Sequence, residues 1–534
     1  MPQTWDAQIK AGLIDENSGI RFCESIDIDP QLKFNALAQK GGALDELLQH
    51  SAMPFYVDRL QGGCFIEKYP YDPALLAHYQ ERLGDRFWGF QMHEWMSNIS
   101  SDIAKITRNH CQAWTEEAIT AAIFREFHYE HIFLEAMDAG EFAALGHAPT
   151  DIGEFLEASR WLFRDRQAYT QGLLLPCDSF CQANALELNL GARRLMPELG
   201  AQTADARIQM AYARGMASAR GLPFGAYYEP WGGNPFSACS YHREGLNEWG
   251  ETGDSFPFAA MGGSGGSSRS LQKRIHLFSY MAGASFMAEE WGMCNTFYDW
   301  QDFELSPYGQ VKLNFLKFTR KYADIGQPVI PMAVVLPKEM EVLESLQASR
   351  DKYLGFPVSG DFAQKLRAVR AGLTALFRDA EPLAGSEPMT LSHAAVPDAL
   401  DIVRADFLPQ GKYQYLVDLT GDPAFAKAHP NACSAEEAPA LLQKALPCQI
   451  TPGLHTQLTR TADGGYYLIV LNNAGISRSV AGGEQILPDQ ERSISVTPKD
   501  HRSLLQLEGD GSVSSENGIF RITVPAGGFF FGRF

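Results

Sequence analysis

The chain has 534 residues, of which 45% are apolar, 20% charged and 11% aromatic, and its formal net charge is −19. That length exceeds one ordinary core and predicts two or three domains, while the composition is that of a globular chain and not of a disordered or fibrous one. The acidic balance excludes nucleic acid, which needs clustered Lys and Arg to displace counterions, and no run reaches the roughly 18 apolar residues that cross a bilayer.

The N-terminus, MPQTWDAQIKAGLIDENSG, has no basic stretch followed by an apolar one, so a cytoplasmic location without membrane contact is expected. Nine Cys without C-x-x-C spacing fit reduced thiols better than a disulfide framework or a zinc site. From about residue 20 to 336, short apolar runs alternate with longer amphipathic stretches, as in repeated β-α units around a parallel sheet. Eight runs read as strands: GIRFCESI from Gly19, PFYVDRL from Pro54, FWGFQMHEW from Phe87, GLLLPCDSF from Gly172, RLMPELG from Arg194, PFGAYYEPW from Pro223, GASFMAEEW from Gly283 and PVIPMAVVLP from Pro328. Eight strands close a (β/α)8 TIM barrel, so the expected fold class is α/β, with a barrel over residues 1–337.

ADARIQMAYARGMASARG, stopping at Gly221, and QVKLNFLKFTRKY have the spacing of outer-ring helices. Residues 96–171 (TEEAITAAIFREF, then DIGEFLEASRWLF) read as a helical insertion above the barrel. The Gly- and Ser-rich stretch after Trp231 reads as a long loop over the rim. Its MGGSGGSS lacks the frame of a phosphate-cradling loop. Residues 338–450 mix helix and strand patterns and are expected to form a small α/β unit. Residues 451–534 alternate like the strands of a closing β-sandwich.

Four carboxylate motifs end apolar runs: HEWMS, MPELG, YYEPWGG and MAEEWG, holding Glu94, Glu198, Glu229, Glu289 and Glu290. Acids at the C-terminal rim of barrel strands suit glycosidic cleavage, which needs one acid for the leaving oxygen and one carboxylate to attack or to activate water. Glu290 is the expected nucleophile or base. Glu198 and Glu229 are the candidate acids, with Asp178 an alternative. Strand alternation implies that only one of Glu289 and Glu290 faces the site, the other lying near as a second charge. Asp58, His93, Glu94 and Asp178 are candidates for binding sugar hydroxyls. Trp95, Tyr228, Trp231 and Trp291 are expected to pack on sugar rings.

No H-x-H or H-E-x-x-H spacing occurs, so neither a metal nor another cofactor is expected, and no plausible nucleophilic Ser stands in a G-x-S-x-G frame, which argues against an α/β-hydrolase. The expected partner is a carbohydrate substrate, and a homo-oligomer is compatible with the sequence. Two excursions beside the rim would block an open groove, which points to cleavage at chain ends.

On these motifs the chain resembles a clan A glycoside hydrolase. E-W-G at Glu290 is similar to that clan's nucleophile motif on the seventh strand, and E-P-W at Glu229 to its acid/base motif Asn-Glu-Pro. LSPYGQVKLNFLKF followed by PVIPMAVVLP resembles the barrel exit of β-galactosidase-like members, in which an α/β unit and a β-sandwich follow. The likeness covers about residues 50–340. Two features depart from the clan: E-P-W falls on the sixth strand instead of the fourth, and Tyr228 stands in the Asn position. Two rival readings stay open, a metal-dependent barrel isomerase or lyase acting on a sugar, and a non-catalytic saccharide-binding barrel.

Overall fold

The computed structural model describes residues 2–13, 21–22, 24–27, 55–58, 73–97, 151–179, 181–200, 205–229, 268–289, 296–297, 302–346, 352–378, 391–479 and 483–534. Seven of the eight expected runs enter one sheet. They form β1 (Arg21–Phe22) and β2 (Glu24–Asp27), two pieces of the first run, then β3 (Phe55–Asp58), β4 (Phe87–His93) and β5 (Leu174–Asp178). After a two-residue strand, β6 (Cys181–Gln182), which pairs with Leu343–Glu344, come β7 (Met196–Gly200), β8 (Ala226–Glu229) and β9 (Phe286–Glu289). The strand order is β1-β9-β8-β7-β5-β4-β3-β2. The strands at both ends of that order, β1 and β2, belong to the same N-terminal run. The fold class is therefore α/β, a TIM-type barrel sheet followed by antiparallel strands of a C-terminal β-sandwich.

The eighth run departs from expectation. It splits into β10 (Gln327–Pro328), which pairs antiparallel with His455–Arg460, and β11 (Met332–Leu336), which pairs parallel with Leu400–Arg404 and Tyr415–Asp418. All five residues of β11 are buried. A strand covered on both faces reads as a continuous apolar run whichever parallel sheet it joins, so its pattern does not name its neighbours.

The chain forms two compact units, and the boundary falls within β7. The first comprises Met1–Trp5, Phe22–Pro197 and Glu341–Leu366. In it, β2 to β5 run parallel, with Asp27 beside Asp58, Val57 beside Phe90 and His93 beside Cys177. The helix α1 (Ile152–Tyr169) starts where Asp151 accepts from the Glu154 amide at 3.0 Å, satisfying one of the unpaired first-turn donors. A short helix, α2 (Asn184–Asn189), follows β6.

The second unit comprises Asp6–Arg21, Glu198–Met340 and Arg367–Phe534. Its helices α3 (Ala206–Arg220), α4 (Arg269–Met281) and α5 (Pro307–Lys321) have legible ends. Gly221 at φ 64° terminates α3 in the left-handed region that a residue without Cβ adopts readily. Ser268 and Ser306 cap α4 and α5 through their hydroxyls, and Pro307 opens α5 where no amide proton is required. Arg214 of α3 is buried against Asp401 at 2.6 Å, and Tyr413 donates to the same carboxylate at 2.7 Å, which ties α3 to the sheet containing β11. The sandwich consists of a five-stranded sheet, which includes β10, and a four-stranded one. Among the described residues, no helix is long and apolar enough to cross a membrane.

Candidate active site

Strand register decides which way each rim acid of the second unit points. Across β7, β8 and β9, Glu198 lies beside Tyr227 and Ala288 in one row, Leu199 beside Tyr228 and Glu289 in the next, and Gly200 beside Glu229 in the third. Neighbours in a parallel register share a face and successive residues alternate, so Glu198, Tyr227, Gly200 and Glu229 occupy one face and Leu199, Tyr228 and Glu289 the other.

The second face is the helix face. The Tyr228 ring lies 5.5 Å from the His276 imidazole of α4, edge to face. Glu289 accepts from Gln272 Nε2 at 3.2 Å, has His276 Nε2 3.2 Å from its Oε1, and has Lys312 Nζ of α5 3.4 Å from its Oε2. Burial by itself would push the Glu289 carboxyl up, but the Lys312 ammonium, His276 and Gln272 outweigh it and hold it down at about 2. Burial pushes the His276 imidazole down against the pull of Glu289. Tyr228, expected to pack on a sugar ring, and Glu289, expected either to face the site or to lie near it as a second charge, are thus placed in the helix layer, the first fully buried and the second ion-paired.

Glu198 and Glu229 share the opposite face, each 2% exposed, at the C-terminal ends of adjacent parallel strands. A two-residue offset along a strand, about 6.6 Å, and one inter-strand step, about 4.8 Å, put their Cα atoms roughly 8 Å apart. Gly200 makes room for this arrangement: a Cβ there would meet the Glu229 carbonyl oxygen at 2.1 Å and its Oε2 at 2.7 Å. The Gly of MPELG therefore serves close approach, which the motif pattern did not reveal.

In the first unit, β4 and β5 end on a second group of acids. His93 and Gln91 share one face of β4, with Gln91 Nε2 3.4 Å from His93 Nδ1, and both are buried. Glu94 leaves the strand at φ 47°, a left-handed conformation unusual for a residue with a side chain, and its amide donates to the Cys177 carbonyl at 2.6 Å. Its Oε2 is 3.7 Å from His93 Nε2. Asp178 is 1% exposed and accepts from the Ala183 amide at 2.8 Å. Glu187, on α2, is equally buried and accepts from Trp95 Nε1 at 2.8 Å and Asn184 Nδ2 at 3.3 Å. Burial, then the Glu187 charge, pushes the Asp178 carboxyl well up, and burial also raises Glu187.

Trp95, expected to face a sugar ring, is fully buried, donating to Glu187 and packing on Phe163 at 5.3 Å. Glu187 was not anticipated. Its segment, NALELNL, has no motif, and the one available signal was an acid in a short helix directly after a strand-end Asp. Asp58 ends β3, and its side chain lies outside the described residues, as do Trp231, Glu290 and Trp291 entirely.

No protein-family model matches this chain, and no curated protein sequence matches it. Among solved structures it is similar to a polyextremophilic β-galactosidase from the Antarctic haloarchaeon Halorubrum lacusprofundi, at 10% identity and a TM-score of 0.44, over 99% of this chain and 96% of that one. It is also similar to the catalytic module of a family 98 glycoside hydrolase from Streptococcus pneumoniae TIGR4, at 10% identity and a TM-score of 0.36, over 92% and 86% of the two chains. An apo exo-carrageenase GH42 from Bacteroides ovatus matches at 6% identity and a TM-score of 0.38, over 71% of this chain and 54% of that one.

Proposed function

We propose that this protein is a glycoside hydrolase that uses strand-end glutamates as acid and nucleophile or base. The observation that carries the reading is the shared face of Glu198 and Glu229, opposite the helix layer, at the C-terminal ends of neighbouring parallel strands. In a parallel barrel that end of the sheet is where loops gather a substrate. With Glu289 committed to Lys312 and His276, Glu290 is the member of the adjacent pair to which the chemistry is assigned.

The acid, Glu198 or Glu229, gives its proton to the glycosidic oxygen as the bond to the anomeric carbon breaks. The Glu290 carboxylate attacks that carbon or removes a proton from the water that does so. Where Glu290 attacks, water then displaces it from the anomeric carbon, losing a proton to the now deprotonated acid and freeing the Glu290 carboxylate; in either route the glycosidic bond is replaced by a bond to water oxygen, and the acid's proton ends on the departing alcohol. Sugar recognition by Asp58, His93, Glu94, Asp178, Trp231 and Trp291, and preference for chain ends, belong to the same proposal and rest on the sequence.

A panel of nitrophenyl glycosides, with the product anomer followed by NMR, identifies the sugar and the stereochemistry. Glu290→Gln is expected to abolish turnover with the fold intact, and unchanged turnover would remove Glu290 from the mechanism. Glu198→Gln and Glu229→Gln then separate the two acids. Loss of general-acid assistance is expected to slow a nitrophenyl glycoside by about 10²–10⁴-fold. The same loss should be far smaller on a dinitrophenyl glycoside, whose leaving group needs no proton. If neither variant discriminates between leaving groups, neither glutamate is the acid.

A further inference from the structure

Arg274 of α4 is fully buried, and every acceptor it reaches is neutral. Its Nε donates to the Ser270 carbonyl and to Ser270 Oγ, both at 3.2 Å, and its Nη1 donates to Asn473 Oδ1 at 2.7 Å. Nη2 has no hydrogen-bond partner among the described residues. Glu484 acts on this guanidinium, but its carboxylate is engaged by the Arg269 amide, at 2.8 Å, and by Arg269 Nε, at 3.4 Å. Burial pulls Arg274 down to about 10, which leaves it charged at neutral pH. A buried charge with no counter-charge against it is strongly destabilising.

The hydrogen-bond network that starts at Arg274 also ends on donors. The Asn473 amide donates to His393 Nε2 at 2.8 Å, so that nitrogen carries no proton and the neutral imidazole holds it on Nδ1. Nδ1 lies 3.3 Å from Arg492 Nη1, an atom that can only donate. Two donors therefore face each other, and protonating the ring would set Nε2 against the amide as well. The groups acting on His393 are Arg492, His455, Arg274 and Arg207, each of which pushes its imidazole down. Asp398 is the buried acid nearby. It accepts from Gln457 Nε2 at 3.1 Å and lies 3.7 Å from both His455 Nε2 and Arg214 Nη2. All of these residues belong to the second unit.

We propose that a chloride ion binds at Arg274 Nη2 as the buried counter-charge of this cluster. The chemistry of the site selects that class of ligand. Cationic donors that outrun their acceptors call for a species that only accepts and carries one negative charge, and a halide accepts from whatever direction its donors come. Phosphate or sulfate would bring a second charge to desolvate and several oxygens to satisfy, against a single open guanidinium nitrogen. Arg274 already joins α4 to Asn473, at the end of the strand Tyr466–Leu471, so the ion stabilises the second unit at that junction. The site is independent of the glycosidase reading, because it concerns the stability of the chain and not turnover.

Thermal unfolding of the full chain at fixed ionic strength, with gluconate replaced stepwise by chloride, reads the ion as a linked ligand. The melting temperature is expected to rise by a few degrees, and bromide should act in the same way. Arg274→Met removes the charge at similar volume and is expected to lose most of that rise. If this variant folds poorly, crystals of the native protein soaked in bromide give a second readout, an anomalous peak within hydrogen-bond distance of Arg274 Nη2. Native melting that is indifferent to chloride overturns the proposal. So does a chloride response that Arg274→Met retains in full, or bromide density that avoids Nη2, since water is then the partner of that nitrogen.

Discussion

Glu289 and the Asp178–Glu187 pair are buried to the same degree, yet they stand on opposite sides of ionisation. Glu289 meets a lysine, a histidine and a glutamine amide from two helices and is held down at about 2. Asp178 meets a second carboxyl and a nearby third and is pushed well up. Desolvation acts on both in the same direction. Partners therefore decide the charge state, and the register of the strand decides the partners.

The sharpest way to break this contrast is to remove the cation. Lys312→Met leaves Glu289 buried without its ammonium and is expected to destabilise the protein by about 3–5 kcal/mol in urea unfolding. A loss under 1 kcal/mol would mean that Gln272 and His276 suffice. Acidification reaches the same group without mutation. Because Glu289 is more acidic folded than its ordinary value of 4.5, its contribution is complete above that value and is lost as pH falls towards 2. The difference amounts to roughly 3 kcal/mol, and it should vanish from the stability-versus-pH curve of Glu289→Gln.

The pair in the first unit should answer in the opposite sense. Trp95→Phe removes one donor to Glu187 and is expected to lower stability by about 1.5–3 kcal/mol in urea unfolding. Asp178→Asn gives the smallest effect and the most diagnostic sign. A carboxyl raised in the folded state contributes stability below its unfolded value and loses it as pH rises through the folded value. The variant should thus melt close to the native protein at pH 5 and a few degrees above it at pH 8. Equal melting differences at both pH values would put Asp178 in the same class as Glu289.

Much of this was legible from local pattern. Strand runs, helix caps and the Gly221 stop follow from rules that act over a few residues, and seven of eight strand runs, α3 and α5 lie where pattern puts them. Pattern gave no information where a side chain's meaning depends on a partner distant in sequence. Tyr228 and Trp95 look like sugar platforms because aromatics beside acids often are, but His276, 48 residues from the first, and Glu187, 92 residues from the second, give each a buried structural setting. The run at β11 is apolar throughout, and only its pairing with Leu400–Arg404 and Tyr415–Asp418 shows which sheet it completes.

The sequence by itself determined the class of fold, the chain order of the parallel strands and the set of acids at their ends, because periodicity, capping and strand ends are written in neighbouring residues. The tertiary structure alone decided how those acids divide. It placed Glu198 and Glu229 on the face away from the helices, gave Glu289 a lysine, and set Asp178 against Glu187. The reason is physical: ionisation of a buried group depends on the charges and donors a few ångströms away, and those arrive from elements far along the chain.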